Sequence, residues 1–240
     1  MQITPGLRRA GAAALLVLAL GATTGCKSGD DADADPAARL AEAQQTLDDT
    51  SGLKITLSTP GLPDSVENGI NKATGIVTNA PAFEGDLSVK YGGLLVDVPV
   101  VSTGGVVYAQ LPFTSGYQAV NPKEYGAPDP AALISASNGF SSLLPATQEV
   151  KEGKSVRGGV NNKEVLTTFT GTVPGAAMNK VIPSAAGQDF AASYLITDEG
   201  ELREATFKGV FYAKSDPMTY VVEFEDYGTT KSIEKPAGAK

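Results

Sequence analysis

Apolar and polar residues alternate one by one through most of this chain, and Gly, Asn, Asp and Pro punctuate the runs. That pattern admits short strands with one covered face and little else. Leu53, Ile55 and Leu57 alternate with Lys54, Thr56 and Ser58. Phe83, Leu87, Val89 and Tyr91 alternate with Glu84, Asp86, Ser88 and Lys90, and Gly92 and Gly93 predict a hairpin into Leu94, Val96, Val98 and Val100. Thr103, Gly104 and Gly105 mark another turn before Val106 to Leu111. Towards the C-terminus, Phe190, Ala192, Tyr194 and Ile196 precede a turn at Asp198, Glu199 and Gly200. Ala205, Phe207, Gly209 and Phe211 follow, then a turn from Ser215 to Pro217, then Met218, Tyr220, Val222 and Phe224. Strands joined in this way form an antiparallel meander, for which one curved sheet is the economical arrangement.

What such a sheet can do is narrowed by absences. The only cysteine is Cys26, so no internal disulfide is possible and stability must come from a core. Histidine and tryptophan are missing altogether. Without histidine, Ser-His-Asp and Cys-His catalysis are excluded, and zinc, copper and non-haem iron lose their usual ligand. Neither a G-x-S-x-G elbow nor a glycine-rich phosphate loop occurs. Glu84 with Asp86, and Glu223 with Glu225, place two carboxylates on one face of a strand, as a glycosidase dyad requires. Each pair lies opposite an apolar set, however, and reads as a solvent face. The chain is read as a non-enzyme, with no cofactor and no metal.

The N-terminus carries an address. Arg8 and Arg9 precede an apolar run from Ala12 to Leu20, and the small residues Gly21 to Gly25 lead to Cys26. The run is shorter than the roughly 20 residues a spanning helix needs, so residues 1–25 read as a lipoprotein signal peptide. Thr23 stands where leucine is usual in such signals, while Gly25 fits. Cys26 is then the lipid attachment site, which gives an odd cysteine its role and holds the protein on the outer face of the cell membrane.

Loss of the leader removes two arginines and no acid, which takes the net charge from −8 to −10. So acidic a chain is unsuited to nucleic acid or to anionic lipid through a basic patch, and its membrane link must be covalent or apolar. Residues 26–35 read as the lipidated cysteine and an acidic tether too poor in apolar side chains to order itself. Asp31, Asp33, Asp35 and Glu42 fall at calcium-loop positions, but Pro36 stands where that loop needs glycine and Arg39 occupies a ligand-side position.

Residues 36–240 form the domain. A helix is predicted over Pro36 to Thr50, with Asp35 as N-cap and Leu40, Ala43 and Leu47 as its apolar stripe. A second helical segment runs from Pro122 to Leu144. It starts at Asp129 and Pro130, sets Leu133, Ile134, Ser137, Phe140 and Leu144 on one face, and breaks at Asn138 and Gly139. A third helix is predicted over Gly175 to Ile182, between Pro174 and Pro183.

The order of these segments resembles the actinobacterial LppX/LprA/LprF/LprG group of cell-envelope lipoproteins. The resemblance rests on Cys26, on the helix after it and on SGLKITLSTPGLP from Ser51 to Pro63. It continues through VVYAQL from Val106 to Leu111, DPAALISASNGFSSLLPATQEVKEGK from Asp129 to Lys154, GTVPGAAMNKVIP from Gly171 to Pro183, and EKP from Glu234 to Pro236. It implies an α+β fold: one strongly curved antiparallel half-barrel with short helices on its concave face, around an apolar cavity for the acyl chains of envelope lipids or glycolipids. It also implies a membrane-anchored lipid carrier, with a membrane lipid exporter as a partner that supplies cargo. The alternative is an envelope interaction or assembly module without a cavity.

A cavity also has a physical argument. At roughly 0.8 kcal/mol per methylene, a sixteen-carbon chain such as palmitate costs on the order of 12 kcal/mol to expose to water. A carrier must therefore offer an equally dry and incompletely filled interior. The candidate lining, rich in small residues, is Leu133, Ile134, Phe140, Leu143 and Leu144 from the helical segment, Met178, Val181 and Ile182 from the third helix, and Val96, Val98 and Val100 from the sheet. Tyr117 and Tyr125 are candidate rim contacts for sugars.

Overall fold

The Asp35 carboxylate accepts a hydrogen bond from the Ala37 N–H at 3.1 Å, and Pro36 takes the first helical position. Together they start α1 (Pro36–Asp49), which ends at Thr50 and buries Leu40, Ala43 and Leu47, the predicted stripe. The computed structural model describes residues 35–112, 114–159 and 162–240. The signal peptide, Cys26 and all of the tether except Asp35 lie outside these residues.

Eleven strands follow: β1 (Gly52–Ser58), β2 (Gly69–Thr78), β3 (Ala82–Tyr91), β4 (Leu94–Thr103), β5 (Val106–Ala109), β6 (Gln118–Val120), β7 (Gln148–Gly158), β8 (Glu164–Val173), β9 (Phe190–Thr197), β10 (Leu202–Gly209) and β11 (Met218–Glu225). They make one antiparallel sheet in the order β6-β5-β4-β3-β2-β1-β11-β10-β9-β8-β7. Two meanders are thus joined through β1 and β11, with Lys54 opposite Glu225 and Leu57 opposite Val222. The end strands do not meet, so the sheet stays open.

Eleven strands laid flat would span about 48 Å at 4.8 Å per step. Yet Val98 and Val107 from one side, and Phe169 and Tyr194 from the other, belong to a single hydrophobic cluster with Leu40, Leu144 and Met178 of the helices. The sheet therefore bends round the helical layer. Gly75 of β2 and Gly85 of β3 face each other in this bend. A Cβ on Gly85 would stand 2.1 Å from the Thr74 carbonyl oxygen, so only glycine permits the two backbones to close up there.

Three strands break the alternation on which the sequence reading relied. β7 has no buried residue, and its register against β8 shifts twice. The inner face of β8 carries Phe169 and Val173 with Gly171 between them, while Leu166 is buried apart from the main cluster. β2 has polar or small residues at most positions and only Val77 and Thr78 buried.

The helical segment after β6 departs from the expectation more sharply. Asp129 does cap it, accepting from the Ala131 N–H at 3.0 Å. The helix then stops after the 3-10 turn Pro130–Ala132. The Phe140 N–H donates back to the Leu133 carbonyl at 2.8 Å, and a Cβ on Gly139 would lie within 2.6 Å of Ser135 N and of the Ala132 and Leu133 carbonyls. The backbone folds onto itself here instead of continuing as a helix. Two more 3-10 turns, Pro122–Tyr125 and Phe140–Ser142, and the one-turn helix α2 (Leu143–Ala146) complete the layer. The last helix, α3 (Gly175–Val181), lies where expected. The described residues from Asp35 to Lys240 belong to one compact unit, and the main hydrophobic cluster, from Leu40 to Phe224, falls within it, so this stretch carries its own core.

Candidate functional site

Inward-facing positions of β4 run Val96, Val98, Val100 and Ser102, and the helical layer lies over them. Val98 and Val100 are buried and Val96 is half-buried. From the layer, Ile134, Phe140, Leu143 and Leu144 are buried and Leu133 is half-buried; from the α3 region, Met178, Val181 and Ile182 are buried. All eleven candidate residues meet in or against one apolar cluster between sheet and helices. Sequence spacing could not show this convergence, because the three segments lie far apart along the chain.

The interior is not uniform. Phe140 stacks on Phe207 at 6.1 Å between ring centroids and meets Phe224 edge-on at 6.3 Å. Phe169, Phe190, Phe211, Tyr194 and Tyr220 are also fully buried or nearly so, and all come from the β8–β11 half. The small residues expected of the lining do not extend to that half. Opposite it, inward positions of β2 to β5 carry Ala73, Gly75, Val77, Gly85, Leu87 and the β4 valines, and the buried Phe83 ring lies over Gly75 and Gly85. One wall is largely aromatic, and the other is aliphatic apart from Phe83.

Polar contacts pin the helical layer in place. The fully buried Ser102 hydroxyl donates to Asp129 Oδ1 at 2.7 Å, tying the layer to β4. Ser141 donates to the Asp48 carboxylate of α1. The Thr147 hydroxyl donates to the Leu143 carbonyl, which leaves its oxygen free to accept from Tyr194, 2.7 Å away. Burial raises the Tyr194 pKa well above the ordinary phenol value, against a smaller lowering by the Thr147 contact.

Two recesses open elsewhere. One of about 400 Å³ lies where Val107, Asn121, Lys123, Asp129, Asn138 and Lys180 approach one another. Another of about 340 Å³ lies on the outer face of the sheet among Lys54, Thr74, Glu84, Asp86, Tyr117 and Lys231. None of the eleven candidate residues lines either one. Tyr117 packs near Ala82, Val101 and Ile233 on this outer side, not on a rim of the interior, whereas Tyr125 is exposed. The paired carboxylates also sit on the outer face: Glu84 pairs with Lys231 and Glu225 with Lys54, each at 2.9 Å. Asp35 and Glu42 of the calcium-loop pattern are engaged by the Ala37 N–H and by Arg39.

Among the described residues no His, Cys, Asp or Glu group is arranged to hold a metal ion, and no helix is long and apolar enough to cross a membrane. The sequence pattern of the LppX_LprAFG lipoprotein family matches residues 35–234. The crystal structure of LprF from Mycobacterium bovis is similar in fold, with a TM-score of 0.68 at 15% identity over 85% of this chain and 97% of that one. The crystal structure of the Mycobacterium tuberculosis lipoprotein LppX gives a TM-score of 0.59 at 16% identity over 84% and 100%. No curated protein matches the chain by sequence.

Proposed function

Because the chain belongs to the LppX_LprAFG lipoprotein family, we propose that it is a lipid-binding protein of the cell envelope. In this reading it holds the acyl chains of a lipid or glycolipid between its sheet and its helical layer and assists their transport across the envelope. Residues 1–25 act as signal peptide, and Cys26 carries the lipid anchor on the outer face of the cell membrane. A membrane exporter supplies the cargo, and no catalysis is involved. The observation that carries the reading is the convergence of three distant segments on one apolar interior with a mostly aliphatic wall. An acyl chain finds its methylenes a dry surface there, and aliphatic side chains without fixed hydrogen bonds can re-pack around it.

A second reading has its own support. Nine of the eleven candidate residues are at most 7% exposed and pack within the one cluster, as in a solid core. This favours an interaction or assembly module. Residues 35–240 purified from a bacterial host separate the two. A carrier yields acylated lipid on organic extraction and mass spectrometry, and takes up a fluorescent fatty acid from solution. A domain that does neither is a module.

A further inference from the structure

The β3–β4 hairpin exposes more large apolar surface than any other described turn. Tyr91 is 65% exposed, Leu94 71% and Leu95 61%, on either side of Gly92 and Gly93. Three such side chains at one tip keep apolar surface in water, which is unfavourable and marks a contact surface. Tyr91 pairs with Leu94 across the hairpin. By strand parity both point to the same side as the inward residues Val89 and Val96. Burial then rises steadily along β4: Leu94 exposed, Val96 half-buried, Val98 at 6% and Val100 at 4%. On β3, Val89 and Leu87 are half-buried and Phe83 is fully buried. An unbroken apolar row thus climbs from the tip to the interior along the aliphatic wall.

We infer that this tip seats in the interfacial layer of a lipid bilayer, and that the row behind it is the path by which an acyl chain passes between bilayer and protein. The path, though not the seating, rests on the carrier reading above. Charge supports a bilayer met through apolar contact, since a chain at −10 once its leader is gone gains little from anionic headgroups. Tyrosine suits the level of the headgroups, with leucines reaching below it. The geometry of anchoring agrees. α1 begins beside the β9–β10 turn, where Arg39 donates to the Thr197 carbonyl at 3.0 Å. That turn lies at the opposite end of the sheet from the tip, as the register through β11, β1 and β2 shows. Nine Cα-to-Cα steps lead from Cys26 to Asp35 and reach at most about 30 Å, close to the length of ten-residue β4. A Cys26-anchored chain therefore has just enough reach to set the tip on the same bilayer.

The test uses residues 35–240 and the triple variant Y91S/L94S/L95S, whose positions are exposed and outside the core. Vesicles of phosphatidylcholine with phosphatidylglycerol, some carrying a pyrene-labelled lipid, report binding by flotation and transfer by fluorescence. Solution uptake of a fluorescent fatty acid is measured alongside. The expected result is vesicle binding that persists at high salt and falls at least tenfold in the variant. Transfer from vesicles should slow at least tenfold, with solution uptake unchanged. Equal transfer by variant and wild type, with both loading from solution, overturns the path and leaves the carrier reading standing. A wild type that loads from neither source overturns the path and the carrier reading together. Wild type that ignores vesicles, or that dimerises through the tip in light scattering while the variant does not, overturns the bilayer assignment.

Discussion

The hydroxyl oxygens of Tyr212 and Tyr220 lie 2.9 Å apart and close a ring of hydrogen bonds around the backbone of Ile70. The Ile70 N–H donates to Tyr212 at 3.0 Å, and Tyr220 donates to the Ile70 carbonyl at 2.6 Å, so Tyr212 must donate to Tyr220. The β2–β3 register shifts between Ile70 and Lys72, and the ring supplies partners to the irregular backbone beside that shift. Tyr220→Phe strands both the Ile70 carbonyl and the Tyr212 proton, at an expected cost of about 1–3 kcal/mol in urea unfolding. With Tyr212→Phe added, the double variant should lose clearly less than the sum of the single losses. Strict additivity would show that the ring is not a unit.

Alkaline pH should find the same tyrosines. Burial raises the pKa values of Tyr194, Tyr220 and Tyr227; the Tyr212 neighbour adds to it for Tyr220, and Glu201 for Tyr227. In the unfolded chain each phenol ionises near pH 10, so the stabilisation from keeping them neutral is whole below that pH and declines as pH rises above it. These three should ionise only as circular dichroism is lost. A single early wave of ionisation in a folded protein would contradict the burial.

Gly85→Ala tests the bend. Its Cβ would meet the Thr74 carbonyl at 2.1 Å, a backbone atom held in the sheet. The substitution should cost at least the roughly 1–3 kcal/mol of an overpacked site. Gly153→Ala, whose Cβ would find nothing closer than 3.4 Å, is the matched control and should stay within about 0.5 kcal/mol.

Val96→Trp separates carrier from module. Val96 is half-buried where the β4 row enters the interior, so a bulky ring there obstructs passage with little disturbance to the core. Fatty-acid uptake should fall at least tenfold, about 1.4 kcal/mol, with a smaller change in unfolding free energy. Matching losses would indicate ordinary core packing.

Cys26→Ala should abolish incorporation of a radiolabelled fatty acid into the protein and leave the melting temperature of the domain unchanged. The described core starts at Leu40 and asks nothing of that thiol. A variant that still incorporates the label would refute lipid attachment at this position.

Much of the fold was legible in the sequence where one face of a strand is buried and the other wet. β1, β3, β4, β9, β10 and β11 satisfy that condition, and their turns fell at the expected glycines and prolines. β7 does not, because an edge strand with polar residues on both faces has no period to read. The helical segment misled for a different reason. Leu133, Ile134 and Phe140 do face the core, but a tight backbone contact at Gly139 brings them there, and helical spacing does not. The candidate lining was legible as a set of apolar residues, whereas the aromatic character of the opposite wall was not. That wall depends on β11, β10, β9 and β8 lying side by side, a matter of strand order and not of local pattern.

The open sheet also has consequences for crowding. Its β7 border shows Glu149, Lys151, Glu152, Lys154 and Arg157 to solvent, is interrupted by two register shifts, and holds Glu149 at a φ of 52°. A strand from a neighbouring molecule would find neither a straight ladder nor matching charges along it. Molecules concentrated side by side in two dimensions can thus keep an unclosed sheet without being stitched into fibres.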